Sequence, residues 1–231
     1  LGCLIEIIQM METFEEYEKI IAVYNNMGLI HNTIGNNDKA LKYFNLALEK
    51  CKKYQDESRE ASIINNIGII YQAQDKLDEA LQYFLLALKI KEKQGEPLKI
   101  VNSVHNVGAV FFELKNYKQA EKYLKRALKI RKEINDINGL ADNYIDLAEL
   151  ESETGNYLQA LSYLSESYKL KDQNLTQESL QRTHSMYSHV YSQTGDYEKA
   201  LYHLKESVKI NDALQQENKA QRIAELQEKY E

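Results

Sequence analysis

The sequence predicts an all-α chain: a right-handed α-solenoid of about five stacked helical hairpins, with a half-repeat at the N-terminus and a long capping helix at the C-terminus. Three observations lead there. Ala40, Ala80, Ala120, Ala160 and Ala200 stand forty residues apart, and a fixed period of this length marks stacked supersecondary units. Two further clusters travel with the alanines. Met27-Gly28, Ile67-Gly68, Val107-Gly108, Leu147-Ala148 and Tyr187-Ser188 precede them; Tyr43-Phe44, Tyr83-Phe84, Tyr123-Leu124, Tyr163-Leu164 and His203-Leu204 follow. Finally, one proline (Pro97) and nine glycines in 231 residues favour long helices with few elaborate loops.

The elements follow in order. Leu4, Ile7, Ile8 and Met11 form a helical apolar face, so residues 1–20 are read as a truncated preceding repeat. The chain begins at Leu1 rather than methionine, which reads as a piece of a longer protein. Leu1-Gly2-Cys3 looks like the end of a bacterial lipoprotein signal, yet helical sequence resumes directly after it. Five repeats are expected at 21–60, 61–100, 101–140, 141–180 and 181–213. In the clearest copy, Ile64, Ile67, Gly68 and Tyr71 fall at i, i+3, i+4 and i+7, one face of a first helix. Asp75 to Asp78 make the turn. Ala80, Phe84, Ala87, Leu88 and Lys91 continue on a second helix, and Gln94-Gly95-Glu96-Pro97 ends it. The small residues Gly28, Gly68, Gly108 and Ala148 are expected where a neighbouring helix approaches closely. Residues 214–231 keep Leu214, Ile223, Leu226 and Tyr230 apolar but lose the repeat pattern, and are read as the charged capping helix.

The array Ile64-x2-Ile67-Gly68-x2-Tyr71 … Ala80-x3-Phe84 resembles the tetratricopeptide repeat, W-x2-L-G-x2-Y … A-x3-F … P. The resemblance covers residues 21 to 213. The period is forty instead of thirty-four, as in kinesin light chains, LGN-type spindle adaptors and bacterial signalling proteins. Tryptophan is replaced by Tyr24, Ile64, Val104, Tyr144 and His184, and the closing proline is missing. Copies 4 and 5 depart further: Glu151 replaces the tyrosine, Ser188 the glycine, and Ser167 and Ser207 the later alanine.

The resemblance implies that the first helix of each pair lines a concave groove that binds protein or peptide. The inward positions are Asn25, Asn26, Leu29 and Asn32; then Asn65, Asn66, Ile69 and Gln72; then Asn102, His105, Asn106 and Phe112. Copy 4 adds Asp142, Asp146, Glu149 and Glu153, and copy 5 adds Arg182, Met186, His189 and Gln193. The candidate peptide-binding set is Asn25, Asn26, Asn65, Asn66, Asn102, His105, Asn106, Asp142, Asp146 and Arg182. A carboxamide carries both donor and acceptor, so Asn26, Asn66 and Asn106, continued by Asp146, suit the backbone of an extended peptide. The alternative is that these amides bond within the solenoid and tie adjacent helices.

Function classes narrow accordingly. A net charge of −6 argues against a partner bound through phosphate neutralisation, so no nucleic acid is expected. Cys3 and Cys51 form neither a disulfide framework nor a metal spacing. His184 and His189 are five apart and miss the facing of a helical metal pair, and His31, at a tyrosine position, reads as a packed ring. No catalytic signature appears, so the chain is read as non-enzymatic and without cofactors. The tail Ile223 to Glu231 resembles the segment after the repeats of bacterial membrane sensor kinases and of LuxR-type regulators. That implies a sensory or interaction region of a two-component or related signal-transduction protein, periplasmic and membrane-tethered through a segment beyond Glu231. A free-standing cytoplasmic adaptor or peptide-pheromone receptor is the other reading. Self-association through residues 214–231 is also expected.

Overall fold

A computed structural model describes residues 17–230. Ten helices carry them: α1 Tyr17–Thr33, α2 Asn37–Tyr54, α3 Glu57–Ala73, α4 Leu77–Gln94, α5 Pro97–Glu113, α6 Tyr117–Glu133, α7 Ile137–Glu153, α8 Tyr157–Lys169, α9 Gln177–Gln193 and α10 Tyr197–Tyr230. A 3₁₀ turn, Leu170–Asp172, follows α8. No strand occurs among the described residues. The expected half-repeat lies outside the described residues except at its end, where Tyr17–Ile20 already form the first turn of α1. The expected capping helix has no start of its own, because α10 runs unbroken for 34 residues.

Short-range side-chain bonds cap α2, α3, α6, α7, α9 and α10. Oxygens of the Asn36, Asp56, Asn116, Asp136, Thr176 and Asp196 side chains accept from the backbone N–H three residues on, satisfying a donor that the helix leaves orphaned. The residue before the turn's cap is left-handed in every copy: Gly35, Asp75, Lys115, Gly155 and Gly195 have φ between 58° and 80°. Glycine adopts that region freely, whereas Asp75 and Lys115 carry a Cβ into it.

The chain divides into two compact units, one ending at Tyr123 and one beginning at Leu124. In the first, Ile21, Ala40, Phe44, Ala47, Cys51, Ile63, Ile67 and Ile70 form one buried cluster from α1, α2 and α3. Its geometry depends on glycine. A Cβ on Gly28 would stand 2.5 Å from Phe44 Cε1, and one on Gly68 2.7 Å from Phe84 Cε1, so each ring occupies the space a side chain would need. In the second unit, Ile145, Ala148, Ala160, Leu164, Tyr187 and Val190 make the equivalent cluster. There the pair is Ala148 with Leu164: a methyl has been added on one helix and an aromatic ring lost on the other. Several buried polar groups of this unit are hydrogen-bonded. Buried Ser167 Oγ lies 2.8 Å from Thr183 Oγ1, and buried Glu151 accepts from Asn156 Nδ2 at 2.9 Å.

Candidate peptide-binding groove

The first helices of the hairpins carry the candidate residues, and the two units use them differently. In the first unit the asparagines pair across neighbouring repeats. Asn66 Nδ2 donates to Asn25 Oδ1 at 3.0 Å, and Asn106 Nδ2 donates to Asn65 Oδ1 at 3.1 Å. Asn65 Oδ1 also accepts from Ser103 Oγ at 3.3 Å, and Ser103 Oγ accepts in turn from Lys91 Nζ at 3.0 Å. Asn65, Ser103 and Lys91 are all buried, and burial lowers the pKa of the Lys91 ammonium. Asn66 and Asn106 therefore each bond to the preceding repeat, whereas Asn26 takes part in neither bond. Asn26 and Asn102 are exposed, His105 is half-buried on α5 and Asn32 is half-buried on α1. Leu29 and Ile69, at the same repeat position, present exposed aliphatic side chains. Gln72 donates to Glu113, and the ring of Phe112 packs tilted against Tyr117 at 5.8 Å.

Between α1 and α3 these residues line a cleft of about 180 Å³, formed by Ile21, Ala22, Asn25, Asn26, Arg59, Ser62, Ile63 and Asn66. Its floor is apolar and its rim holds carboxamides and one cation. Arg59 was not anticipated from the sequence. It lies on the face of Asn66, seven residues upstream, and extending the inward face by two turns would have found it. Its guanidinium binds Asp56 at 2.5 Å and Glu18 at 3.1 Å. Burial would raise the Asp56 carboxyl, but bonds from the Arg59 backbone N–H and guanidinium outweigh it and hold the group below the usual carboxylate range.

In the second unit the groove is charged. Arg182 NH1 donates to Asp142 Oδ1 at 2.7 Å, NH2 reaches Asp146 Oδ1 at 3.4 Å, and Ser179 Oγ donates to Asp142 at 3.1 Å. Three candidate residues thus bind one another. A cleft of about 370 Å³ beside them is lined by Ile145, Glu149, Glu153, Gln181, Arg182, Ser185, Met186 and His189. Burial, then the neighbouring Asp146 and, after the opposing Arg182, Glu153 raise the Glu149 carboxyl. Exposed Gln193 lies beyond this lining, on the last turn of α9.

The histidines fall where the repeat puts rings. His31 stacks on Tyr43 at 5.4 Å, as its position predicts. His184 pairs not with His189 but with His203, Nδ1 to Nδ1 at 2.9 Å. The sequence hides this pair because nineteen residues and a hairpin separate its members. The same contact is Tyr24–Tyr43 in copy 1 and Tyr144–Tyr163 in copy 4. Among the described residues no three His, Cys, Asp or Glu cluster to hold a metal ion, and no helix is long and apolar enough to cross a membrane.

Stacked helical hairpins with polar first-helix faces define an α-solenoid of the kind that recognises other proteins. Models of the tetratricopeptide repeat match residues 19–93, 100–173 and 181–214, and the chain belongs to that family. No curated protein sequence matches it significantly. Among solved structures it is similar to BtubC (BKLC) from P. vanneervenii, with 18% identity, TM-score 0.80, and 93% of this chain and 89% of that one covered. It is similar to a Rap protein complexed with competence and sporulation factor, at 18% identity and TM-score 0.72, covering 85% of this chain and 57% of that one. It is also similar to the Rap conjugation gene regulator of plasmid pLS20 in complex with the Phr* peptide, at 20% identity and TM-score 0.70, covering 84% and 54%. The chain thus spans little more than half the length of these Rap proteins.

Proposed function

We propose that this chain is a non-enzymatic module that binds an extended peptide along the first helices of its repeats. The observation that carries the reading is the α1–α3 cleft, where Asn25, Asn26, Asn66 and Arg59 converge over Ile21 and Ile63. A carboxamide rim over an apolar floor suits a peptide backbone with an aliphatic side chain directed inward. A Rap protein of the same fold is in complex with the Phr* peptide and another with competence and sporulation factor, which supports the reading. The wider role we infer is that of the sensory or interaction region of a bacterial signal-transduction protein, with the tail from Ile223 as the exit toward an output domain. The peptide-bound Rap structures favour a second reading, a free-standing peptide receptor. Sequence following Glu231 separates the two: about 20 apolar residues there support a membrane-tethered sensor.

Asn26 is the cleanest probe. It is exposed, whereas Asn66 also holds Asn25. Against a pool of short fluorescein-labelled peptides, anisotropy is expected to select a binder that Asn26→Ala weakens about tenfold, the weight of a lost hydrogen bond. Melting temperature stays unchanged for Asn26→Ala but drops for Asn66→Ala. A pool with no binder, or a binder indifferent to Asn26→Ala, overturns the proposal.

A further inference from the structure

Helix α10 carries an exposed apolar stripe. Leu204 occupies the repeat position of Phe44, Phe84, Leu124 and Leu164, which are at most 1% exposed, yet it is 48% exposed. Val208, at the position of buried Leu88, is 50% exposed, and Leu201 is 51% exposed. These three fall at i, i+3 and i+7, a single stripe along one side of α10. In the earlier copies a further helix lies over this position: Phe44 clusters with Ile63 and Ile67 of α3. This stripe lies upstream of residues 214–231, where the sequence alone suggested association and where Ile223 is exposed as well.

The charges around the stripe say what covers it. Lys205 and Asp212 flank the shallow groove of Leu204, Val208 and Ala213, and both are exposed on the outer face of α10. They lie symmetrically about the midpoint between Val208 and Lys209. A two-fold axis through that midpoint sets Leu204 against Ala213 of a second helix, Val208 against the Lys209 stem, and Lys205 against Asp212, twice over. A parallel pairing would set Lys205 against Lys205 instead. Such self-complementarity is the signature of an isologous contact, and aliphatic lysine stems cover apolar surface while their charge stays in water.

We propose that α10 is the contact face between two copies of this chain, crossing antiparallel at Val208 with Leu201, Leu204 and Val208 in the seam and Lys205 of each opposite Asp212 of the other. One helix crossing is a small interface, so the dimer is weak and concentration-dependent. This goes beyond the peptide-binding reading and does not depend on it. Sedimentation of the full chain over a wide concentration range tests it. The mass is expected to rise from 26.9 kDa toward twice that value. Val208→Glu holds it at the monomer with an unchanged circular dichroism spectrum. Lys205→Asp and Asp212→Lys each weaken association at least about tenfold, and the double exchange restores it. A single monomer mass at every concentration, a dimer indifferent to Val208→Glu, or a double exchange that fails to restore association overturns the proposal.

Discussion

The two units solve one packing problem with different residues. In the first, a glycine on α1 or α3 receives a phenylalanine ring from the next helix, as at Gly28–Phe44 and Gly68–Phe84. In the second, Ala148 sits in one cluster with Leu164. The grooves differ in parallel: neutral amides pair across repeats in the first unit, and a carboxylate–arginine cluster takes their place in the second. At these contacts the added methyl of Ala148 goes with the smaller side chain of Leu164, while the chemistry of the exposed face differs between the units.

The sharpest way to break this comparison is to mix the two solutions. Gly28→Ala alone puts a methyl carbon 2.5 Å from the Phe44 ring, and is expected to destabilise the chain by about 1–3 kcal/mol through overpacking. Phe44→Leu alone empties part of a fully buried site and costs about as much. Together they reproduce the Ala148–Leu164 arrangement, so the double variant should lie closer to wild type than the two single costs sum to. Urea denaturation of all three measures the coupling, and simple additivity would show that volume at this contact is not what is matched.

The second expectation concerns rings at one repeat position. Copies 1 and 4 use tyrosine pairs where copy 5 uses His184 and His203. His203 is further stacked on Tyr187 at 4.5 Å. Burial, with His184 alongside, pushes the His203 imidazole down to about 4 against the pull of Glu206, and burial lowers His184 likewise, with Lys171 adding to it and Glu206 opposing. Both folded-state values lie below the unfolded value of about 6.5. The unfolded chain therefore binds more protons, and stability is expected to fall as pH drops from about 6.5 toward 4. His184→Tyr with His203→Tyr, which restores the copy 4 pair, is expected to flatten that part of the profile. Thermal melts at a series of pH values check it, and an equally steep loss in the variant would assign the acid sensitivity elsewhere.

The repeat made most of the fold legible. The helical hairpins recur with the forty-residue spacing, because close helix contacts demand small residues at fixed intervals. The groove was legible only as a face. Asn25, Asn26 and Asn66 line the α1–α3 cleft and Asn65 is buried beneath the surface, but the sequence could not say that one amide would bond to the next repeat's, since that depends on the offset between adjacent helices. The His184–His203 pair was hidden for a related reason, since nineteen residues and a hairpin separate its members, whereas Arg59 stands on the Asn66 face two turns upstream and was legible there. The run of α10 through residue 213 was hidden because the repeat pattern stops there, although no glycine or proline interrupts the helix between Tyr197 and Tyr230.

The smallest expected effect is also the most local. Lys115 and Gly155 hold the same turn position in the first and second units, with φ of 58° and 80°. A side chain in that region brings its Cβ toward the following carbonyl, at about 1 kcal/mol. Lys115→Gly relieves this strain, but it also gives the unfolded chain more freedom to lose, so the net gain should stay below about 1 kcal/mol. Gly155→Lys meets no steric neighbour, since nothing lies within 4 Å of its would-be Cβ. Its cost is therefore conformational alone, of similar size and opposite sign. Paired melts of the two variants compare the turns directly. If both substitutions move stability in the same direction, the turn conformation is not what distinguishes the two positions, and the charge of Lys115 must be carrying the difference.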